Sequence, residues 1–197
     1  MIMSTNASSL TFLLAALALG TCGLVDAQTP INRDGRVEKI GPPRMGLNAQ
    51  DTKFIKDAAA GNTFEVRSSQ LALKRGRSAF VKQFAIQMVR DHGSAFEELK
   101  ILARRKGKKE SKTLPPKLQA VIDRLGRLKG AGFDAAYVKA QKTAHAETAM
   151  KMRMEIQKGR DSDVKGYAIN TLPAVQMHAK MLMTRQAMVT PRMNHKM

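Results

Sequence analysis

The sequence predicts an all-α fold. Two observations carry that prediction: from Asp51 onward apolar residues recur three or four positions apart, and β-branched alternation never extends beyond a few residues. A third bounds the size, since 197 residues with 43% apolar content and one Cys fit one helical domain without an internal disulfide.

Ahead of the helical pattern, residues 1–27 read as an export signal. An apolar run from Leu10 to Leu19 is followed by Gly20 and small residues ending in Val25-Asp26-Ala27, which places cleavage after Ala27. No Lys or Arg precedes the run, and it is shorter than the ~20 residues that span a bilayer. Leu19-Gly20-Thr21-Cys22 loosely resembles the box before a lipidated cysteine, but Thr fits it poorly, so plain secretion is expected over lipid anchoring. The expected location is the periplasm or the outer membrane. Residues 28–50 hold three Pro and three Gly with no apolar period and read as a flexible leader.

Five helices are expected. The first spans 51–75, capped by Asp51 and stopped by Gly76, with Phe54, Ala58, Asn62, Glu65 or Val66, Ser69 and Ala72 inward. The second starts after Ser78 and ends near Lys106; Phe80 or Val81, Phe84 or Ala85, Met88, His92, Ala95 or Phe96, Leu99 and Leu102 form its stripe. A basic loop leads to a short third helix, 116–128, with Pro in its first turn. The fourth, 133–158, carries Tyr137, Gln141, His145, Thr148 and Met152 on one face. The fifth, from about 162, carries Val164, Ala168, Thr171, Val175, His178 and Leu182, with a kink or break expected at Pro173. The domain is expected over 51–187, with a fraying tail over 188–197.

Two long hairpins joined by a segment with a short helix describe a four-helix bundle with a crossover connection, the ferritin-like arrangement. In that topology the second and fourth helices run parallel. His92 lies 14 residues past Ser78, and His145 lies 14 past Ala131, so at ~1.5 Å per residue they share a level. Glu65 and His178 fall within about one turn of the same level on the other two helices.

Two readings of this layer are open. Imidazole and carboxylate are ligands that Cu, Zn and Fe accept inside bundles, so Glu65, His92, His145 and His178 form a candidate metal site, with Asp91 as an outer partner. Alternatively, each His is neutral and bonded to a carbonyl, hydroxyl or water. No Glu-x-x-His occurs on any helix, which disfavours di-iron chemistry.

The strings Phe84-Ala85-Ile86-Gln87-Met88-Val89-Arg90-Asp91-His92, Gly132-Phe133-Asp134-Ala135-Ala136-Tyr137, Gln141-Lys142-Thr143-Ala144-His145 and Thr171-Leu172-Pro173 through His178 resemble the bacterial domain of unknown function 4142 family over about 51–185. The resemblance implies a secreted or envelope-associated, ferritin-like helical protein. Asp91, His92, His145 and His178 match recurring positions of that family, and Glu65 matches an acidic position on its first helix. The strong basicity and Met richness of this chain depart from the family pattern.

The net charge of +18 is densest at Arg104, Arg105, Lys106, Lys108, Lys109, Lys112 and Lys117. Such a cluster fits anionic lipid or phosphate-bearing envelope polymer, at ~1 kcal/mol per basic group near a membrane surface. That gives a second hypothesis, a basic interaction protein with purely structural histidines. Nucleic acid is not expected as a physiological partner, since an exported protein does not meet it and aromatics for stacking are few. The Met-dense last third, including Met150, Met152, Met154, Met177, Met181 and Met183, suits Cu(I) as well as core packing, and packing is the expected role. No nucleophile elbow, His-Glu-x-x-His or phosphate loop is present, so enzymatic activity is expected only through a metal.

Overall fold

Side-chain caps fix where three of the five helices begin. The computed structural model describes residues 46–109 and 112–189, with side chains as far as Thr184. The expected signal segment, most of the leader, Cys22 and most of the tail lie outside the described residues.

Helix α1 (Ala49–Arg75) opens at Asn48. The Asn48 side chain accepts from the Asp51 N–H at 2.8 Å, and the Asp51 carboxylate accepts from the Asn48 N–H at 2.6 Å. This reciprocal capping box satisfies two otherwise orphaned donors. Asp51, expected as the cap itself, is therefore the third residue past it, and α1 starts inside the expected leader.

Helix α2 (Ala79–Arg105) is capped by Ser78, whose hydroxyl accepts from the Val81 N–H at 3.1 Å. Helix α3 (Pro116–Gly126) has Pro in its first turn, where the missing N–H has no intrahelical acceptor to lose. Helix α4 spans Gly130–Lys158, beginning three residues ahead of the expected start. Helix α5 spans Ser162–Val189, and Asp161 caps it by accepting from the Asp163 and Val164 N–H groups at 3.0 and 3.2 Å. It is continuous through Pro173, so of the kink or break expected there the break is absent. Pro173 and Ile169 both lie on the exposed face, where water can take the carbonyl that proline leaves unbonded.

Polar ties between helix ends set the topology. Asp134, at the start of α4, accepts from the Arg77 and Ser78 N–H groups at 3.0 and 2.8 Å and so holds the α1–α2 turn. At the opposite end Asp51 accepts from the Arg160 N–H at 2.9 Å, in the α4–α5 turn. Lys106, closing α2, pairs with Asp161 and Asp163 at 2.7 and 2.6 Å. Helices α1 and α5 therefore run one way, α2 and α4 the other, and the two hairpin turns sit at opposite ends. Helix α3 packs on α1 and α4 as part of the crossover. The fold is the all-helical bundle that the sequence predicts, and the described residues contain no strand.

The α4–α5 turn depends on a small residue. A Cβ at Gly159 would collide with Oε1 of Glu155 and stand 2.6 Å from the Glu155 backbone oxygen, so a side chain is excluded there.

The core is divided in two along the bundle axis. One apolar half holds Phe54, Phe96, Leu99, Leu102, Met152, Val164 and Val175. The other holds Ala72, Val81, Phe84, Met88, Phe133, Tyr137 and Leu182. Each large side chain fully withdrawn from water contributes ~1.5–3 kcal/mol. Between the halves lies a buried polar layer containing Asn62, Glu65, Ser68, Ser69, His92, Gln141, His145 and His178. An apolar filling would be the simpler solution for stability, since buried polar groups must regain the bonds they lose to water.

Candidate metal centre

Helical spacing delivers the three imidazoles. On α2, Met88 precedes His92 by one turn; on α4, Gln141 precedes His145 by one turn; on α5, His178 lies between Val175 and Leu182, and all of these residues are buried. The three rings are 1–4% exposed, so no nitrogen is left to bulk water. Their centroids are 5.6 Å apart for His92 and His145, 5.6 Å for His92 and His178, and 5.5 Å for His145 and His178. One ring nitrogen from each lies within 4.8 Å of one from each of the others. The edge of Phe84 meets the same group, 6.3 Å from the His178 ring and 6.2 Å from the His145 ring.

Each imidazole has one nitrogen bonded and one without a hydrogen-bond partner among the described residues. Nδ1 of His92 lies 2.9 Å from Oδ1 of Asn62, Nδ1 of His145 lies 2.9 Å from the Gln141 carbonyl, and Nε2 of His178 lies 3.0 Å from Oδ2 of Asp91. All three partners are acceptors, so those nitrogens carry the protons in the neutral rings. Nε2 of His92, Nε2 of His145 and Nδ1 of His178 are buried and unpartnered. In the neutral tautomers these atoms are bare lone pairs.

The orientation of Asn62 is fixed from behind. Its Nδ2 donates to the Tyr167 hydroxyl at 3.0 Å, and that hydroxyl donates to the Ala95 carbonyl at 3.1 Å. Burial pushes the Tyr167 hydroxyl up to about 12, which keeps its proton in place. A chain of donors thus runs from α1 through α5 to α2 and presents Oδ1 of Asn62 to His92.

Protonation does not resolve the lone pairs of His92 and His178. Burial, and then repulsion from His145 and His178, hold His92 down to about 3. Burial also lowers His178, against the opposing pull of Asp91. Against the upward push of burial, bonds with Arg90 and His178 hold the Asp91 carboxyl below its usual range, so it is ionised beside the His178 ring. An ionised carboxylate behind a ring nitrogen raises the basicity of the other nitrogen.

Glu65 is brought into the layer but not into the group of three. Its Oε1 lies 3.6 Å from Nδ1 of His145, the nitrogen that the Gln141 carbonyl already occupies, and its Oε2 has no partner among the described residues. Burial raises its carboxyl above the ordinary value, opposed by His145 and Gln141. Helix α1 places Asn62, one turn earlier, against His92, so the first helix contributes an orienting amide. Asn62 was legible as an inward position; its role was not, because that role depends on Tyr167 from another helix.

The residues of the basic cluster do not form one surface. Lys106 is 14% exposed and spent on Asp161 and Asp163, so it does not belong to an anion-binding face. The Lys112 ammonium stands 5.2 Å over the Phe96 ring, and Lys117 pairs with Glu147 at 3.1 Å. Arg104, Arg105, Lys108 and Lys109 are exposed at the end of α2. Of the methionines, Met88 and Met152 are buried in the core, while Met150, Met154, Met177 and Met183 are exposed.

Comparison with known proteins agrees with this architecture. The family model described as domain of unknown function DUF4142 matches residues 41–184. A crystal structure of a DUF305 fragment from Deinococcus radiodurans superposes with a TM-score of 0.65 at 10% identity, covering 74% of this chain and 100% of that one. A structure described as CopM in the Cu(I)-bound form superposes with a TM-score of 0.60 at 16% identity, covering 71% of this chain and 98% of that one. At these identities the likeness is one of fold. The chain matches no curated protein.

Proposed function

This chain belongs to the DUF4142 family, and we propose that its bundle binds one transition-metal ion through Nε2 of His92, Nε2 of His145 and Nδ1 of His178. The observation that carries the reading is the set of three buried, unpartnered lone pairs at one level of the core. A single water molecule has two hydrogens and can satisfy at most two of the three acceptors. A cation satisfies all three at once.

The donor set fits the group. Imidazole nitrogens bind such ions at ~2.0–2.1 Å, which places three of them ~3.5 Å apart. Starting from nitrogens within 4.8 Å of one another, each ring closes by less than about 1 Å. Asp91 behind His178 and the Gln141 carbonyl behind His145 hold the rings in the tautomers that binding needs. Three neutral nitrogens without a carboxylate favour copper or zinc over iron. The likeness to a structure that holds Cu(I) supports copper as the first candidate.

Elemental analysis of untagged protein tests this. The reading predicts one equivalent of metal, lost in a His92→Ala, His145→Ala double variant. Metal-free protein whose stability no chelator changes would return the layer to a structural role.

A second reading concerns the outside of the molecule. We place this protein outside the cytoplasm, on the strength of its N-terminal segment, and the exposed Arg104, Arg105, Lys108 and Lys109 favour contact with anionic lipid or envelope polymer. Binding to anionic vesicles that survives undiminished at high salt would refute the charge-based contact. No helix among the described residues is long and apolar enough to cross a membrane.

A further inference from the structure

The three imidazoles are buried on every side, so a metal ion needs a way in. Two cavities mark one. A groove of about 300 Å³ runs between α1, α3 and α4, lined by Asp57, Gly61, Glu65, Glu147 and Thr148 among others. A second cavity, of about 20 Å³, is lined by Asn62, His92, Met152 and Tyr167. The two share Asp57, Gly61, Thr148 and Lys151 as lining residues. The wide groove and the narrow cavity therefore adjoin the same stretch of the seam between α1 and α4, and His92 lines the narrow one.

We propose that the metal reaches the His92–His145–His178 group through a gap in this seam, and that Gly61 and Thr148 form its narrowest point. The inference rests on the metal-binding reading above.

Size decides what happens there. A water needs a cavity of ~10–15 Å³, so the inner one, at about 20 Å³, has room for about one such body. A hydrated ion fits the groove but not the cavity, and the water shell must be shed between the two. The groups at that place are suited to replace it. The Asp57 carboxylate, shared between Lys53 at 2.6 Å and Lys151 at 3.4 Å, and the Thr148 hydroxyl both line the junction. On the groove side of the junction, Glu65 also lines the wall, and its Oε2, which has no hydrogen-bond partner among the described residues, has a place as a transient ligand.

Gly61 is the residue that keeps the gap open. A Cβ built there meets nothing nearer than the Thr148 hydroxyl, at 3.9 Å, which is ordinary contact. Packing therefore does not demand glycine, although glycine is a poor residue for the interior of α1. What a larger side chain would cost is the opening itself, because it would project across the gap toward Thr148.

The test is the rate of Cu(I) uptake and release by the full-length metal-free chain, read by transfer to and from a chromophoric chelator under reducing conditions. Gly61→Leu and, from the opposite helix, Thr148→Leu are compared with Gly166→Leu, a glycine on α5 with open space around it. The proposal predicts that both gap variants still hold one equivalent at unchanged affinity, with uptake and release each slowed at least tenfold, while Gly166→Leu exchanges at the wild-type rate. Wild-type exchange rates in both gap variants overturn the route and leave the binding site standing. Failure of the wild-type chain itself to take up Cu(I) overturns the binding site, and the route with it.

Discussion

Nδ1 of His92 lies 2.9 Å from Oδ1 of Asn62, and Nδ2 of Asn62 lies 3.0 Å from the Tyr167 hydroxyl, so two bonds on opposite sides of one amide decide which His92 nitrogen keeps its lone pair. Rotating that amide would set an N–H against the ring and reverse the tautomer. The ligand set proposed for this bundle therefore depends on a residue that never touches the metal.

Replacing Asn62 with Leu removes the acceptor while approximating its volume. One metal equivalent should still bind, with affinity reduced roughly 10–100-fold, the usual effect of losing a partner that orients a ligating histidine. Chelator competition at fixed pH measures this. Unchanged affinity would remove Asn62 from the account.

Glu65 and His145 are neighbours with different expected consequences. His145→Ala deletes a ligand and should abolish stoichiometric binding, whereas Glu65→Gln keeps the shape and should keep the equilibrium stoichiometry, since the Glu65 carboxylate approaches the Nδ1 side of His145. Metal content after dialysis distinguishes the two variants. Loss of metal in Glu65→Gln would make the carboxylate a fourth ligand after all.

Asp134 ties the α1–α2 turn to α4 by accepting two backbone N–H groups. Asp134→Ala leaves both without that acceptor and should lower stability by about 2 kcal/mol, as read from urea midpoints with an unchanged denaturant slope. It should not alter metal stoichiometry, because the site lies more than two helical turns away along α4.

Glu155 gives the stability a pH dependence with a defined sign. Burial, and then its hydrogen bond to Asp51, raise its carboxyl to about 7 from an ordinary 4.5. Between those values the folded chain binds more protons than the unfolded one, so stability from this group is greatest at the acidic end and falls as pH rises toward 7. The expected loss is on the order of 1 kcal/mol after solvent screening. Denaturation of metal-free protein across pH 5–8 should show this slope in the wild-type chain and not in Glu155→Gln.

Much of this arrangement was legible because helices impose a period. Once the second and fourth helices run parallel, the counts from Ser78 to His92 and from Ala131 to His145 put both rings at one level, and the cap at Ser78 is a local signal. Local chemistry misled at Asp51, because Asn48 three residues earlier is an equally good cap and the pair forms a box. Glu65 shares the level of the histidines, but its rotation about α1 carries it behind His145, and a level alone does not fix rotation. Lys106 reads as one more loop cation until the start of α5 brings Asp161 and Asp163 to it. The Asn62–Tyr167 bond spans 105 residues of sequence, so no spacing rule reaches it.

X-ray absorption on protein loaded with one equivalent of Cu(I) tests the central claim most directly. The account predicts a first shell of three imidazole nitrogens at ~2.0 Å, a shell that His178→Ala reduces or abolishes. A first shell of sulfur, or an unchanged shell in that variant, would place the metal elsewhere and contradict it.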